Sequence, residues 1–194
     1  MTPRKRISVS PEATLLQRAR QLEESALATI FDTYYQPLYR YLYHHLGHAP
    51  TAEDLTAEVF RRFLDAVHKG RGPTEKLQAW LYRVAHNLLV DELRRRELRE
   101  AEPLEENWPS LLMDVSVQAQ QAQLQQVIRR ALRFLSPKQQ AVLVLHYLED
   151  MEYAEIARAL QLSEGAVRAL QQRGLRALQR YLKRRGVRGL EDLI

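Results

Sequence analysis

The stretch YAEIARALQLSEGAVRALQQRGLRALQRYL, residues 153–182, decides how this chain is read. Ile156, Ala157 and Leu160 recur at the three- and four-residue steps of one helix face. Gln161 and Leu162 interrupt that pattern. Ser163 then opens a second helix, its hydroxyl able to accept a free N–H of the first turn. Val167, Leu170, Gly174 and Leu178 supply the inward face of that helix. A small Ala157 opposite an inward Val167 lets the two helices cross closely, as a helix-turn-helix needs. Ser163, Glu164, Ala166, Arg168, Gln171, Gln172 and Arg176 are left on outward faces. The N-terminal part of such a second helix enters the major groove of DNA. There Arg matches guanine, Gln matches adenine and Glu matches cytosine.

Charge supports the same reading. Arg158, Arg168, Arg173, Arg176, Arg180, Lys183, Arg184, Arg185 and Arg188 follow one another with Glu164 as the sole acid among them. A one-signed basic end can hold phosphates. The segment 124–182 is therefore expected to bind duplex DNA.

Upstream of that module the helical period continues. Residues 26–46 carry Ile30, Phe31, Tyr34, Leu38, Tyr41, Leu42 and Leu46. Residues 55–67 carry Leu55, Val59, Phe60, Phe63, Leu64 and Val67, and residues 77–93 repeat the pattern from Leu77 and Trp80 through Leu93. Ser136-Pro137 marks another start, with Ser at the cap and Pro in the first turn. Helices are expected over 121–135, 138–147, 153–160 and 164–182, and no stretch alternates as a strand would. HKGRGPTEK, residues 68–76, reads as a loop. AEPLEENWPSLLMDVSVQAQQ, starting at Ala101, holds Pro103, Pro109 and several acids, and reads as a linker.

The expected fold is thus all-α. Two small helical domains are joined by an acidic linker, the C-terminal one a helix-turn-helix. The boundaries are 1–24 for a flexible N-terminal arm, 25–99 for the first domain, 100–120 for the linker, 121–185 for the second domain and 186–194 for a tail.

Composition sets outer limits. A 194-residue chain that is 45% hydrophobic can build real cores, and a net charge of +5 favours an anionic partner. The chain has no cysteine, which removes disulfides, thiolate metal sites and a cysteine nucleophile, and suits a reducing cytoplasm. No apolar run approaches the roughly 20 residues of a membrane span.

Taken in order, five stretches resemble the extracytoplasmic-function sigma factors of the bacterial sigma-70 family. They are FDTYYQPLYRYLYHHLG, AEDLTAEVFRRFLDAV, LQAWLYRVAHNLLVDELRRR, LRFLSPKQQAVLVLHYLEDMEYAEIARAL and LSEGAVRALQQRGLRAL. The resemblance covers about residues 30–182. It implies a first domain that docks on RNA polymerase core and opens the minus-ten promoter element. It implies a second that binds the minus-thirty-five element as duplex. On that match Asp54, Glu58, Val59, Phe60 and Arg61 bind core polymerase. Lys69 and Arg71, in a loop similar to the one that captures a flipped base, join Trp80, Arg83, His86, Asn87, Asp91, Arg94 and Arg95 at the minus-ten strand. Ser163, Glu164, Ala166, Arg168, Gln171, Gln172, Arg173 and Arg176 face the minus-thirty-five duplex. A base taken from the stack needs a pocket, and a displaced strand needs a basic track, which Lys69, Arg71, Arg94, Arg95 and Arg96 can form. The resemblance also implies a bacterial cytoplasmic location, an anti-sigma factor as a further partner, no cofactor and no membrane insertion.

The chain departs from the family's commonest pattern at three positions. Gln161 stands where Gly is frequent, Ala166 where Thr is, and Leu170 where Arg is. Residues 167–171 instead follow a V-R-x-L-Q variant of the recognition helix.

Other features are given ordinary readings. His44, His45 and His48 lie close together, and His44 with His48 has ligand spacing but no acidic or cysteine partner at a matching interval, so the three are read as surface histidines at a helix end. Tyr34, Tyr35, Tyr39, Tyr41, Tyr43 and Trp80 are read as packing residues. Asp54 and Glu58 lack any nucleophile or metal set, so no enzyme is expected; Glu58 can also pair Arg61 or Arg62. The competing functional reading is a free-standing helix-turn-helix regulator whose first domain senses a ligand or dimerises.

Overall fold

A computed structural model describes residues 11–98, 131–132 and 134–184. Within them lie seven helices: α1 (Pro11–Arg20), α2 (Glu24–Leu46), α3 (Ala49–His68), α4 (Leu77–Leu98), α5 (Pro137–Tyr147), α6 (Tyr153–Leu160) and α7 (Glu164–Arg184). The expected linker, the C-terminal tail and most of the helix expected over 121–135 fall outside the described residues.

Local signals account for the helix ends. Gly47 closes α2 in the left-handed conformation (φ 65°), its N–H donating to the Tyr43 carbonyl at 2.9 Å. His48 caps α3 by accepting from Thr51 N–H. A Schellman motif ends α3: Gly70 is left-handed (φ 68°), its N–H donates to the Val67 carbonyl at 2.9 Å, and Arg71 N–H donates to that of Ala66 at 2.8 Å. Ser136 and Gln139 form a capping box on α5 with Pro137 in its first turn, as the Ser-Pro pair predicts. Glu152 and Glu155 form another on α6.

Helices α2, α3 and α4 pack on one another around Ile30, Leu38, Leu42, Val59, Phe63, Leu81 and Leu89, all shielded from solvent. Helix α5 packs on α7 with Gly174 at the crossing; a Cβ there would lie 3.0 Å from Leu143 Cδ1. The close approach explains the glycine.

The N-terminus departs from the expected flexible arm. From Pro11 the chain is helical, and α1 docks against α2 and α3 with Leu16 and Ala19 buried. A ten-residue helix is marginal alone. Docking stabilises it, and docking is what a short run of Leu15, Leu16 and Ala19 does not announce. Arg18 and Glu23 form an ion pair across the turn between α1 and α2.

The two helical groups touch. Helix α6 lies along α4, and α5 meets α2. Gln140 Nε2 donates to the His44 carbonyl at 2.9 Å. Between α5 and α6, Glu149 reaches the first group, its side chain only 5% exposed. Tyr82 Oη donates to Glu149 Oε2 at 2.8 Å, and Arg40 Nη2 lies 3.7 Å from Oε1. Gln78 Nε2 donates to the Glu149 carbonyl at 3.4 Å.

Candidate polymerase and nucleic-acid interfaces

Helix α3 presents a charged face. Asp54 and Arg61 are exposed, and Glu58 is half-buried. Glu58 accepts from Arg61 (2.6 and 2.7 Å) and from Arg62 (2.8 Å), and those hydrogen bonds hold its carboxyl down at about 2. Arg61 also pairs Asp65 at 3.0 Å. The pairing anticipated for Glu58 is therefore formed, and the group is a carboxylate across the physiological range. Val59 and Phe60, expected among the core-binding residues, are instead buried. Helical phase turns them inward, where the Phe60 ring lies 4.8 Å from that of Phe31. The exposed apolar residues beside the charges are Phe31 and Leu64, at 45% and 44% exposure. Their hydrophobic period is the same as that of core residues, so the sequence gives no sign of their exposure.

The loop 69–76 projects Lys69 and Arg71 into solvent. Gly72 turns it back against the end of α3; a Cβ there would lie 2.9 Å from Val67 Cγ2. Beyond it, Asn87, Asp91, Arg94 and Arg95 are exposed along α4, and Arg83 is half-buried. Trp80 is half-buried, its ring edge-on to Phe63 at 5.9 Å, consistent with a packing role. Arg95 and Arg96 both lie against Glu92, at 3.4 and 3.1 Å, so part of the expected basic track is internally paired.

His86 does not join the exposed strip. It is 9% exposed, and its Nδ1 shares a 2.9 Å hydrogen bond with Tyr41 Oη. Burial, aided by the positive charge of Lys138, lowers its pKa to about 4. His45 is half-buried: burial of its ring lowers it to about 3, and its Nδ1–H donates to the Tyr41 carbonyl at 2.8 Å. Among the described residues no cluster of three or more ligating side chains could hold a metal ion. No described helix is long and apolar enough to cross a membrane.

The helix-turn-helix is formed by α6 and α7. Gln161 is left-handed (φ 55°), the conformation Gly would adopt more easily, and Leu162 N–H donates to the Ala157 carbonyl at 2.9 Å. Ser163 Oγ accepts from Ala166 N–H at 3.2 Å, as its cap position requires. Ser163, Glu164, Arg168, Gln172, Arg173 and Arg176 are exposed; Ala166 is half-buried. Arg168 sits over the Tyr153 ring, 4.2 Å from its centre, and 3.8 Å from Glu164. Arg173 Nε donates to the Ala169 carbonyl at 3.2 Å. Gln171 differs from expectation. Its Oε1 accepts from Tyr153 Oη at 2.9 Å and its Nε2 donates to Tyr147 Oη at 3.0 Å. That amide ties α7 to the preceding helices, with one donor and one acceptor position already engaged.

Glu149 and Tyr82 were not singled out in the sequence. Burial raises both, with the Glu149 charge acting further on Tyr82, while Tyr82 and Arg40 act to lower Glu149. An acid in a short loop and a tyrosine on an apolar helix carry no signal of partnership; only the docking reveals it.

Comparison with known proteins agrees with these shapes. Residues 30–99 match the family model of sigma-70 region 2, and residues 125–178 that of sigma-70 region 4. The chain is 34% identical over 174 residues to ECF RNA polymerase sigma factor BldN of Streptomyces coelicolor; the alignment covers 87% of this chain and 64% of BldN, less than two thirds of that relative's length. It is 29% identical over 168 residues to ECF RNA polymerase sigma factor SigX of Bacillus subtilis, covering 82% of this chain and 85% of SigX. The fold is also that of CnrH, solved in complex with the cytosolic domain of CnrY (TM-score 0.69, 19% identity, 90% of this chain and 98% of that one). The two matched regions, in this order and joined to a capped helix-turn-helix, place the chain in the extracytoplasmic-function group of the sigma-70 family of RNA polymerase sigma factors.

Proposed function

We propose that this chain is a promoter-specificity subunit of RNA polymerase, without chemistry of its own. The observation that carries the reading is the coexistence on one chain of an exposed charged face on α3 and two separate exposed surfaces bearing basic side chains, the loop 69–76 with α4 and the outer side of α7. Asp54, Glu58 and Arg61, flanked by Phe31 and Leu64, contact core polymerase. Lys69, Arg71, Asn87, Arg94 and Arg95 run along the melted minus-ten strand, with Asp91 on the same exposed side. Ser163, Glu164, Arg168, Gln172, Arg173 and Arg176 meet the minus-thirty-five duplex. Val59 and Phe60 act only by shaping α3 from beneath, and Gln171 by holding α7.

This reading requires the two helical groups to separate. Elements centred on minus ten and minus thirty-five lie roughly 25 base pairs, or about 85 Å, apart on B-form DNA. Helix α7 has 21 residues and is about 32 Å long. With α6 lying against α4, one chain cannot reach both elements. The docked arrangement is the resting form, and engagement with core polymerase opens it. CnrH carries a second protein, CnrY, in its solved complex. A partner protein of this chain, an anti-sigma factor, would act by holding it away from core. The site of action is the bacterial cytoplasm, where core polymerase and promoter are.

The test is reconstitution with core polymerase from a related bacterium. Co-elution on gel filtration and promoter-dependent run-off transcripts are expected. No co-elution together with tight duplex binding by the chain alone would overturn the reading in favour of a free-standing regulator.

A further inference from the structure

Helix α4 begins without a cap of its own. The first N–H groups of any helix have no intrahelical partner. The residue before α4 is Lys76, held in the left-handed conformation (φ 56°), and a lysine side chain has no acceptor to offer. The acceptor comes from 65 residues away. Glu12 Oε1, on α1, accepts from the backbone N–H of Leu77 at 2.7 Å. A carboxylate at a helix N-terminus also lies at the favourable end of the helix dipole.

The same contact fixes the exit of the loop 69–76. Its entry is already fixed by the Schellman motif at Gly70, and its floor by Gly72 against Val67. Thr74 shares a cleft with Ala13, Leu16 and Gln17 of α1. Between these three restraints the exposed cations Lys69 and Arg71 are held in place. Helix α1 is retained separately, by the burial of Leu16 and Ala19. Removing the Glu12 carboxylate should therefore release the loop exit without undocking α1.

We propose that Glu12 is a positioning residue for capture of the melted strand: from a helix that precedes the region-2 match, it caps α4 and so sets the geometry of the loop 69–76. The proposal rests on the reading above that this loop meets the non-template strand. It gives α1 a task in promoter opening beyond the stability of the first domain.

The experiment uses the full chain assembled with core polymerase, and a fluorescein-labelled pool of random-sequence single-stranded 12-mers, with core alone as background. Bound strands are sequenced. Wild-type holoenzyme is expected to enrich one base at one position. Glu12→Ala should bind the pool about five-fold more weakly and flatten that base preference. Glu12→Gln should restore both, because its carboxamide oxygen still accepts from Leu77 N–H. Core affinity should be equal for all three. Retention of the wild-type base preference in Glu12→Ala overturns the assignment. So does a loss that tracks a fall in core affinity, which would mark general damage to the domain. A Lys69→Ala/Arg71→Ala double variant separates this inference from its foundation. If that variant binds the pool as wild type does, the loop is not at the strand, and the functional reading and this inference fall together. If it loses the pool while Glu12→Ala does not, the reading stands and the role of Glu12 alone is refuted.

Discussion

Tyr82→Phe tests the contact that holds the two helical groups together. The substitution keeps the ring, which lies edge-on to Tyr41 at 5.4 Å, and removes only the hydroxyl. That hydroxyl donates to Glu149 at 2.8 Å, and the Glu149 side chain is 5% exposed. What remains for the carboxylate in the docked form is Arg40 at 3.7 Å. A hydrogen bond to a charged group contributes about 1.5–3 kcal/mol. In the separated form both groups are hydrated, so the loss falls almost entirely on the docked form. A loss of about 2 kcal/mol moves the equilibrium roughly thirty-fold toward separation. The chain has no cysteine, so a cysteine pair introduced at Glu53 and Arg180, both exposed, can carry two dyes. Single-molecule energy transfer should show one population in wild type and a second population, at a different transfer efficiency, in Tyr82→Phe. Glu149→Gln should stay docked, since its amide oxygen accepts the same hydrogen and no charge is buried. An unchanged distribution in Tyr82→Phe would refute the reasoning, as would opening by Glu149→Gln to the same extent.

Four further outcomes are expected. His86 and His45 have pKa values lowered to about 4 and about 3, so the stability they contribute is present above their unfolded value of about 6.5 and is lost as pH falls toward the folded values. Glu149, raised by burial, works in the opposite sense, favouring the native form on acidification. In a Glu149→Gln background, which removes that opposing group, the urea midpoint should drop between about pH 7.5 and about pH 5; a flat profile would show that the rings are not buried neutral. Gly72→Ala places a Cβ 2.9 Å from Val67 Cγ2 and 3.2 Å from its Cα, and should destabilise by about 1–3 kcal/mol, seen as a lower melting temperature. Gln161→Gly should raise the melting temperature, by relieving up to about 1 kcal/mol of left-handed strain at an exposed position; a fall would mean the side chain stabilises the turn. Arg168→Ala in the holoenzyme should weaken promoter binding by about 1–3 kcal/mol with relaxed preference at one position if it reads a base, or evenly with a shallower salt slope if it touches phosphate; promoter titrations at several salt concentrations that match wild type would remove Arg168 from the interface.

Much of this molecule is written locally. Ser136-Pro137 and Ser163 open helices because cap and first-turn chemistry act over a few residues. The stripes through α2, α3, α4 and α7 follow from the helical period, and the order of the five stretches places the chain in its family. Periodicity identifies an apolar residue but not its depth. Phe60 and Leu64 share one pattern on α3, yet the first is 7% exposed and the second 44%. Only packing against Phe31 and Tyr35 separates them. The same holds for polar groups. Gln171 reads as a base-contacting amide until two tyrosine hydroxyls from earlier elements are seen to occupy it, and His86 reads as a strand contact until Tyr41 and burial claim it.

Sequence by itself therefore determined an all-helical chain, its capped helix-turn-helix and its membership of the family, because those rest on neighbours in the chain. Tertiary structure alone decided that α1 docks and caps α4 through Glu12, and that Glu149 is buried between the two groups against Tyr82. Those contacts join residues 65 and 67 positions apart, where no local preference acts and complementary surfaces decide.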